Sequence, residues 1–334
     1  MSRIFVTGAT GFLGRSLVPD LVERGHQVTV LLREGSDASA FERLPVRRVA
    51  GDVLDPTSLR AGLEGCDCVV HAAGLVSYRR ADERLLQAVH VQGTENVCRA
   101  ALERGVQRFI HVSSTAAVGI GEDPSRPADE SLAFHWRWKR IPYMRTKMLA
   151  ERVAMDFAGR GLPVVAVNPS TLYGPGDVKL HSGEVFRNIA TGRLRLAPPG
   201  GNGVLAVQDC AAGVAAAMER GRVGERYILN SENLSFLEIF GVICALLGRP
   251  PIQKCYPGWT YRPLSAAAGL LELLFNAAGR SPPIDPSTIA IAWRFRYYDS
   301  AKARRELGWS ARVPFVEACR QALEFYRARG VIAP

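Results

Sequence analysis

The chain has 334 residues, 47% of them apolar and 22% charged, with a net charge of +10. That is enough for one large domain or two modest ones around a real core, with ordinary globular composition. The cations are spread along the chain rather than massed in one run, which favours a solvated basic surface over nucleic-acid binding.

Arg3 to Thr7 reads R-I-F-V-T, apolar and β-branched enough for a buried strand. Gly8, Gly11 and Gly14 follow, and then Leu13, Leu17, Val18, Leu21 and Val22 recur at helical spacing. In a strand–turn–helix, Gly8 permits a sharp turn. Gly11 lets a pyrophosphate approach backbone N–H groups at the helix N-terminus, and Gly14 lets helix and strand pack closely. Candidate cofactor contacts here are Gly8, Thr10, Gly11, Phe12 and Leu13. A strand start at Arg3 leaves no room for a targeting segment, so a cytoplasmic location is expected.

Gln27–Leu32 predicts a second strand ending in Arg33, with no carboxylate until Glu34. An acidic residue at this strand end would hold a ribose 2′-OH; an arginine suits a 2′-phosphate. NADP is therefore expected, with NAD as the alternative. Val46–Ala50 is a short third strand leading into Asp52 and Val53; Asp52 could instead cap a turn with Asp55 and Pro56. Asp67–His71 is a fourth strand, and the small residues Ala72, Ala73 and Gly74 after it let a cofactor pass close to the backbone. A long helix is predicted over 82–104 and a fifth strand over 107–112, ending in Ser113, Ser114 and Thr115. The stretch from Gly119 to Arg140 reads as irregular, with Phe134, Trp136 and Trp138 near its end. Pro142 suits the first position of a helix carrying Tyr143 and Lys147, one turn apart on one face. A sixth strand, 162–167, runs into Asn168, Pro169 and Ser170.

With T-G-x-x-G-x-x-G, H-A-A-G, the S-S-T strand end and Y-x-x-x-K in that order, the chain resembles the extended short-chain dehydrogenase/reductase superfamily. Within it, it is similar to dihydroflavonol reductases, 3β-hydroxysteroid dehydrogenases and, most closely, hopanoid-associated sugar epimerases, through V-N-P-S-T-L-Y-G-P-G-D and Y-D-S-A-K-A-R-R-E-L-G-W. The resemblance implies an α/β doubly wound parallel sheet (Rossmann fold) with a smaller, mainly helical C-terminal substrate lobe. It makes Ser114, Tyr143 and Lys147 the catalytic set, gives Asp52 and Val53 the adenine, and has Pro169 and Ser170 flank the nicotinamide. Tyr143 and Lys147 are also candidate cofactor contacts. A lysine ammonium beside the phenol should lower its pKa. His90 stands where the family usually has Asn, so a local hydrogen bond must differ; Tyr173 and the Phe134–Arg140 stretch also depart from the pattern.

The expected division is 1–175 with return segments near 204–231 for the cofactor, and 176–203 with 232–334 for the substrate. Val204 to Glu219 should return to the core as a strand and helix, and 226–229 as a strand. Ser235 should cap a helix through Glu238. Further helices are expected over 183–191, 264–278, 300–307 and 313–328. The 264–278 stretch is very apolar but too short to span a bilayer, and reads as a packed helix or pocket wall. Seven cysteines without C-x-x-C and six histidines without H-E-x-x-H predict reduced thiols and no metal site. The expected function is NADP-dependent reduction of a ketone or aldehyde on a bulky, largely apolar, lipid-like small molecule. The alternative is a nucleotide-sugar epimerase or dehydratase that retains NAD, with a non-catalytic NADP sensor as a third reading. A homodimer is compatible with the sequence.

Overall fold

The computed structural model describes residues 1–277 and 285–333, and the side chains of all these except 276 and 277. Seven parallel strands form the main sheet: β1 (Arg3–Thr7), β2 (Gln27–Leu32), β3 (Val46–Ala50), β4 (Cys68–His71), β5 (Arg108–Val112), β6 (Val164–Pro169) and, after two strands of a second sheet, β9 (Arg226–Leu229). Their order is β3-β2-β1-β4-β5-β6-β9. The chain winds outward from β1 to β3, then returns beside β1 with β4 and winds the other way. That reversal opens a crevice at the carboxyl ends of β1 and β4.

Alternation along each strand fills both faces. Ile4, Val6, Ile110 and Val165 point to one side, where they meet Leu17 and Val18 of α1 (Gly14–Glu23). Phe5, Val69, Phe109 and Val164 point to the other, against Leu59 of α2 (Pro56–Gly62). The sequence did not mark α2, although Asp55 caps it by accepting from the N–H groups of Thr57 and Ser58, with Pro56 at the first position. The helix expected over 82–104 is α3 (Glu83–Leu86) and α4 (Gly93–Glu103) joined by a π-helical turn, Gln87–Gln92. A short α5 (Thr115–Val118) follows β5, and α6 (Pro142–Ala158) opens at Pro142 as expected.

The remaining strands form a second sheet. β8 (Gly201–Ala206) pairs with β7 (Thr171–Tyr173), β10 (Glu232–Ser235) and β11 (Phe295–Arg296). The strand expected to return to the main core is therefore β8 of the second sheet; only its helix, α8 (Val207–Arg220), lies on the main sheet. Gly201 and Gly203 explain the choice. A Cβ on either would sit 2.7 Å or less from Leu234 O or Asn230 Oδ1, so β8 is built for close approach of β10 rather than for a wide apolar face. A separate core gathers Phe186 of α7 (Gly183–Ala190), Ile239 and Phe240 of α9 (Phe236–Leu246), and Phe315 and Tyr326 of α13 (Phe315–Ala328). Ser235 and Glu238 make the expected capping box. Asp177 is fully buried and accepts from the N–H groups of His181, Ser182 and Gly183, fixing the start of α7. α10 (Tyr261–Ala277) packs on α11 (Pro286–Ala292), and α12 (Ala301–Leu307) covers β9. Ala278, the expected end of α10, lies outside the described residues.

Candidate active site

The β1–α1 turn sits at the crevice. Gly8 has φ +73°, and a Cβ there would lie 2.5 Å from Ala72 C; one on Gly14 would lie 2.2 Å from Ala9 O. Both positions exclude any other residue. At Gly11 a Cβ would meet only Gly8 O, at 3.1 Å, so its outer side is open. Ala72 N–H donates to Thr7 O and Ala73 N–H to Thr7 Oγ1, which draws the Ala72–Gly74 segment against the turn. At the β2 end an open cleft of about 730 Å3 is lined by Arg33, Glu34, Asp52 and Ser58. Arg33 is exposed and makes no ion pair among the described residues. Asp52 does cap its own turn, accepting from Leu54 N–H, and still faces the cleft. The Val53 side chain is turned into the core against Gly93. Phe12 and Leu13 pack on the main core, while Thr10 O accepts from Arg15, whose guanidinium also pairs with Asp37 at 2.8 Å. The residues fit a dinucleotide: the glycine cradle has no room for side chains, and Ser170 Oγ is buried without a hydrogen-bond partner among the described residues. Pro169 ends β6 in the buried row beside it.

Ser114, Tyr143 and Lys147 converge. Ser114 caps α5, accepting from Ala116 N–H at 3.1 Å, and its hydroxyl lies near enough to the Tyr143 phenol to favour the ionised form. Ser113 and Thr115, the alternative registers, are buried elsewhere, Thr115 against Tyr298. Lys147 Nζ donates to Val112 O at 3.4 Å. The expected lowering of the phenol pKa by Lys147 is absent in the protein alone. Burial dominates and pushes Tyr143 upward, with Tyr78 adding to the rise and the Ser114 hydroxyl opposing it. Burial likewise pushes Lys147 down to about 8, partly offset by Glu151.

Glu151 was missed, although its spacing from Lys147 places it one turn further along the same face. It is buried and accepts from Asn168 Nδ2 at 2.5 Å and from Arg226 Nη1 at 3.1 Å. Asn168 Nδ2 also donates to Ser114 O at 3.0 Å. Asn168 therefore braces the site, joining the Ser114 backbone to α6.

His90 replaces the usual Asn with a different bridge. Leu75 N–H donates to Nε2 at 3.1 Å, and Nδ1 lies 2.9 Å from Thr146 Oγ1. Burial and the nearby Lys147 push its pKa down to about 3, so the ring is neutral and Nδ1 carries the proton. Thr146 Oγ1 in turn donates to Pro142 O. The π-helical turn thus ties the loop after β4 to the start of the Tyr143 helix. His71 is structural, held by Thr7 and Thr94. Its neighbour His111 is buried with both ring nitrogens unpartnered among the described residues, and burial holds its pKa well below the usual value.

The 119–140 segment is strapped down. Ala128 bridges to Tyr298, Tyr298 Oη donates to Gly119 O, Arg226 donates to Glu130 O, and Ile228 N–H donates to Glu130 Oε1. Its two tryptophans part company. Trp138 is 6% exposed and packs with Ile120, Ile141, Met144 and Ile291, joined by Tyr78 and Phe134. Trp136 is 60% exposed, with Arg140 stacked on it at 5.1 Å. Tyr78 also meets the Tyr143 ring edge-on at 5.2 Å. Arg296 on β11 was invisible to the sequence, because nothing local marks it. Its guanidinium lies close enough to favour the ionised forms of Tyr143, Tyr173 and Tyr298, and its buried Nε has no partner among the described residues. Tyr173 itself is buried, edge-on to Phe315 at 4.9 Å. The seven cysteines are all free, and no metal-ligating cluster occurs among the described residues.

A doubly wound sheet with a glycine turn at its switch point defines a dinucleotide-binding enzyme of the extended short-chain dehydrogenase/reductase type. The NAD dependent epimerase/dehydratase family matches residues 4–229, and the chain belongs to that family. It is 35% identical to a putative dihydroflavonol 4-reductase of Synechocystis, over 91% of this chain and 89% of that one. It is 34% identical to sterol demethylase protein B of Methylococcus capsulatus, over 98% and 99%. Among solved structures, gox2253 superimposes with a TM-score of 0.86 at 32% identity, covering 99% of this chain and 100% of that one. The chain is thus an NAD(P)-dependent oxidoreductase or epimerase of this type.

Proposed function

We propose that the protein is an NADP-dependent reductase of a ketone or aldehyde carried on a bulky, largely apolar small molecule. The carrying observation is the half-buried pair Tyr78 and Phe134 at the edge of the Trp138 cluster, with Tyr78 edge-on to the Tyr143 ring, which gives the site an apolar border. A similar chain named for sterol chemistry supports the reading. Residues 1–175, with returns near 204–231, would hold the cofactor, and 176–203 with 232–334 the substrate.

The cofactor, when bound, supplies the hydride. Gly8, Gly11 and the α1 N-terminus would hold its pyrophosphate, and Ala72–Gly74, Pro169 and Ser170 would border it. Ser114 donates to the carbonyl oxygen, and Tyr143 Oη delivers the proton to that oxygen as negative charge develops. Burial makes the Tyr143 phenol a weaker acid in the protein alone, so its proton transfer would be driven by the charge developing on the carbonyl oxygen. The Lys147 ammonium would stabilise the phenolate that Tyr143 becomes, and Asn168 ties the Ser114 backbone to Glu151 of α6.

Arg33 would take the 2′-phosphate in the cleft it lines. Arg33→Glu should cut the preference for NADPH over NADH at least tenfold, since a charge-assisted contact contributes about 1.5–3 kcal/mol. Titration of both cofactors checks this, and equal loss for both removes the NADP assignment. Arg296 supports the second reading, an epimerase or dehydratase of a nucleotide sugar with retained NAD, because a guanidinium near Tyr143 whose buried Nε has no partner among the described residues suits an anionic substrate. Purified protein carrying NAD, with no NADPH turnover across an apolar ketone panel, would decide for that reading.

A further inference from the structure

We propose that Arg296 holds a carboxylate on the substrate, close to the carbonyl that Tyr143 protonates, which makes the substrate an oxo acid with an apolar body. This rests on the reductase reading above and narrows its substrate class. Arg296 makes no ion pair or hydrogen bond among the described residues, and its Nε is sealed from solvent while the residue as a whole is half-buried. A buried guanidinium N–H without an acceptor costs stability, so it calls for a partner from outside the fold. Neighbouring arginines are already engaged. Arg294 donates to Trp293 O and stacks on Tyr261 at 5.4 Å, and Arg226 pairs with Glu151 at 3.1 Å.

Strand pairing brings Arg296 to the site. β11 runs alongside β8 with Arg296 opposite Asn202, so the two side chains leave the second sheet on one face. Asn202 Nδ2 donates to Thr171 Oγ1, and Thr171 directly follows Ser170, whose buried hydroxyl also lacks a partner among the described residues. Two residues further along the chain, Tyr298 Oη donates to Gly119 O. Gly119 ends α5, the short helix that Ser114 caps, and a Cβ on it would lie 3.6 Å from Phe134 and from Trp138. Arg296 is thus flanked by the segment after Ser170 on one side and by the apolar border on the other. From there it favours the ionised forms of phenols on three separate elements, Tyr143, Tyr173 and Tyr298. Its chemistry selects the ligand. One guanidinium matches one planar, singly charged carboxylate through paired charge-assisted hydrogen bonds. A diphosphate in the same place would keep negative charge that this arginine alone does not neutralise.

The test is calorimetric titration of the NADP-saturated full chain with decanoate and with decanamide, beside NADPH-dependent reduction of 3-oxodecanoate and of its methyl ester. Wild type should bind decanoate at least about tenfold tighter than decanamide, and should favour the oxo acid over the ester by a similar factor in kcat/KM. Arg296→Met should bring both ratios close to unity, mainly through KM, and Arg296→Lys should restore part of each. Arg296→Met should also melt no lower than wild type, because it removes an unpaired buried N–H. Equal binding of acid and amide by wild type, or ratios that survive Arg296→Met, overturn the proposal; a lower melting temperature with the ratios intact would make the arginine structural. UDP binding that Arg296→Met abolishes, with decanoate not bound, also overturns it and gives the arginine to a nucleotide sugar. If decanoate binds through Arg296 but neither ketone is reduced, the carboxylate site stands and the reductase reading fails.

Discussion

The β1–α1 turn and the 119–140 strap both lead off the carboxyl edge of the main sheet but are held in different ways. In the turn, backbone packs on backbone: Gly8 touches Ala72 and Gly14 touches Ala9, and each contact permits one residue type. In the strap, side chains and scattered hydrogen bonds tie an irregular path to residues far along the chain, from Arg226 to Asp299. A site built the first way leaves a spaced motif in sequence. A site built the second way leaves only composition, here a cluster of aromatic residues whose directions cannot be read.

Substitutions can sharpen this contrast. Tyr143→Phe should lower kcat by about 10^2–10^4, the range of general acid catalysis, with cofactor affinity and melting temperature nearly unchanged. Titration calorimetry beside steady-state assays would show function lost and fold kept. Trp138→Ala should do the reverse, costing about 3–5 kcal/mol of stability as the cluster around Ile120 and Met144 is opened. Glu151→Ala should cost less, about 1–3 kcal/mol, because the buried Asn168 amide and the half-buried Arg226 each lose a carboxylate partner; urea denaturation measures both. If Trp138→Ala instead raised KM alone, the strap would be a lid and the contrast would collapse.

The histidines near Lys147 give a pH signature. His71 and His90 have folded pKa values of about 3, and that of His111 is also well below normal, against about 6.5 unfolded. The unfolded chain therefore binds more protons through this window. Their contribution is in place above pH 6.5 and is lost as pH falls toward 3, at up to about 1.4 kcal/mol per pH unit for each histidine. Lys147, lowered to about 8, acts on the alkaline side, where stability should rise from pH 8 toward 10.5 as its unfolded form sheds its extra proton. Melting curves across pH would show both slopes, and His90→Asn should remove one histidine's share of the acid slope. The smallest effect belongs to Trp136→Ala, within about 0.5 kcal/mol for an exposed ring. A larger loss would show that Trp136 is covered by another molecule.

Much of the cofactor half was legible. β1 and β2 carry the buried apolar runs that inner parallel strands need, whereas β3, V-R-R-V-A, is a largely exposed edge strand. Tyr143 and Lys147 followed from Pro142 and helical spacing. Glu151 was legible by that spacing but passed unremarked, since a carboxylate on a helix is usually solvated. The π-helical turn at Gln87–Gln92 was not legible: it adds a residue to a helix that still reads as periodic, and its cause, His90 reaching Leu75 and Thr146, lies in the tertiary structure. Arg296 and the second sheet were hidden for the same reason, because β8 is recruited by partners thirty and ninety residues away.

The strap carries one more consequence, for the order in which the chain can finish folding. Tyr143 leaves the ribosome long before Tyr298, yet Ala128 and Gly119 find their partners only when Tyr298 is in place. A nascent chain ending at Leu229 would have every strand of the main sheet and the whole Ser114–Tyr143–Lys147 cluster, but one flank of its pocket would lack its fastening. Such distant pairing is slow to form and leaves apolar surface exposed meanwhile. The cofactor half is thus poorly suited to being excised and transplanted as a self-sufficient catalytic module, because Tyr298, which fastens its 119–140 segment, lies outside it.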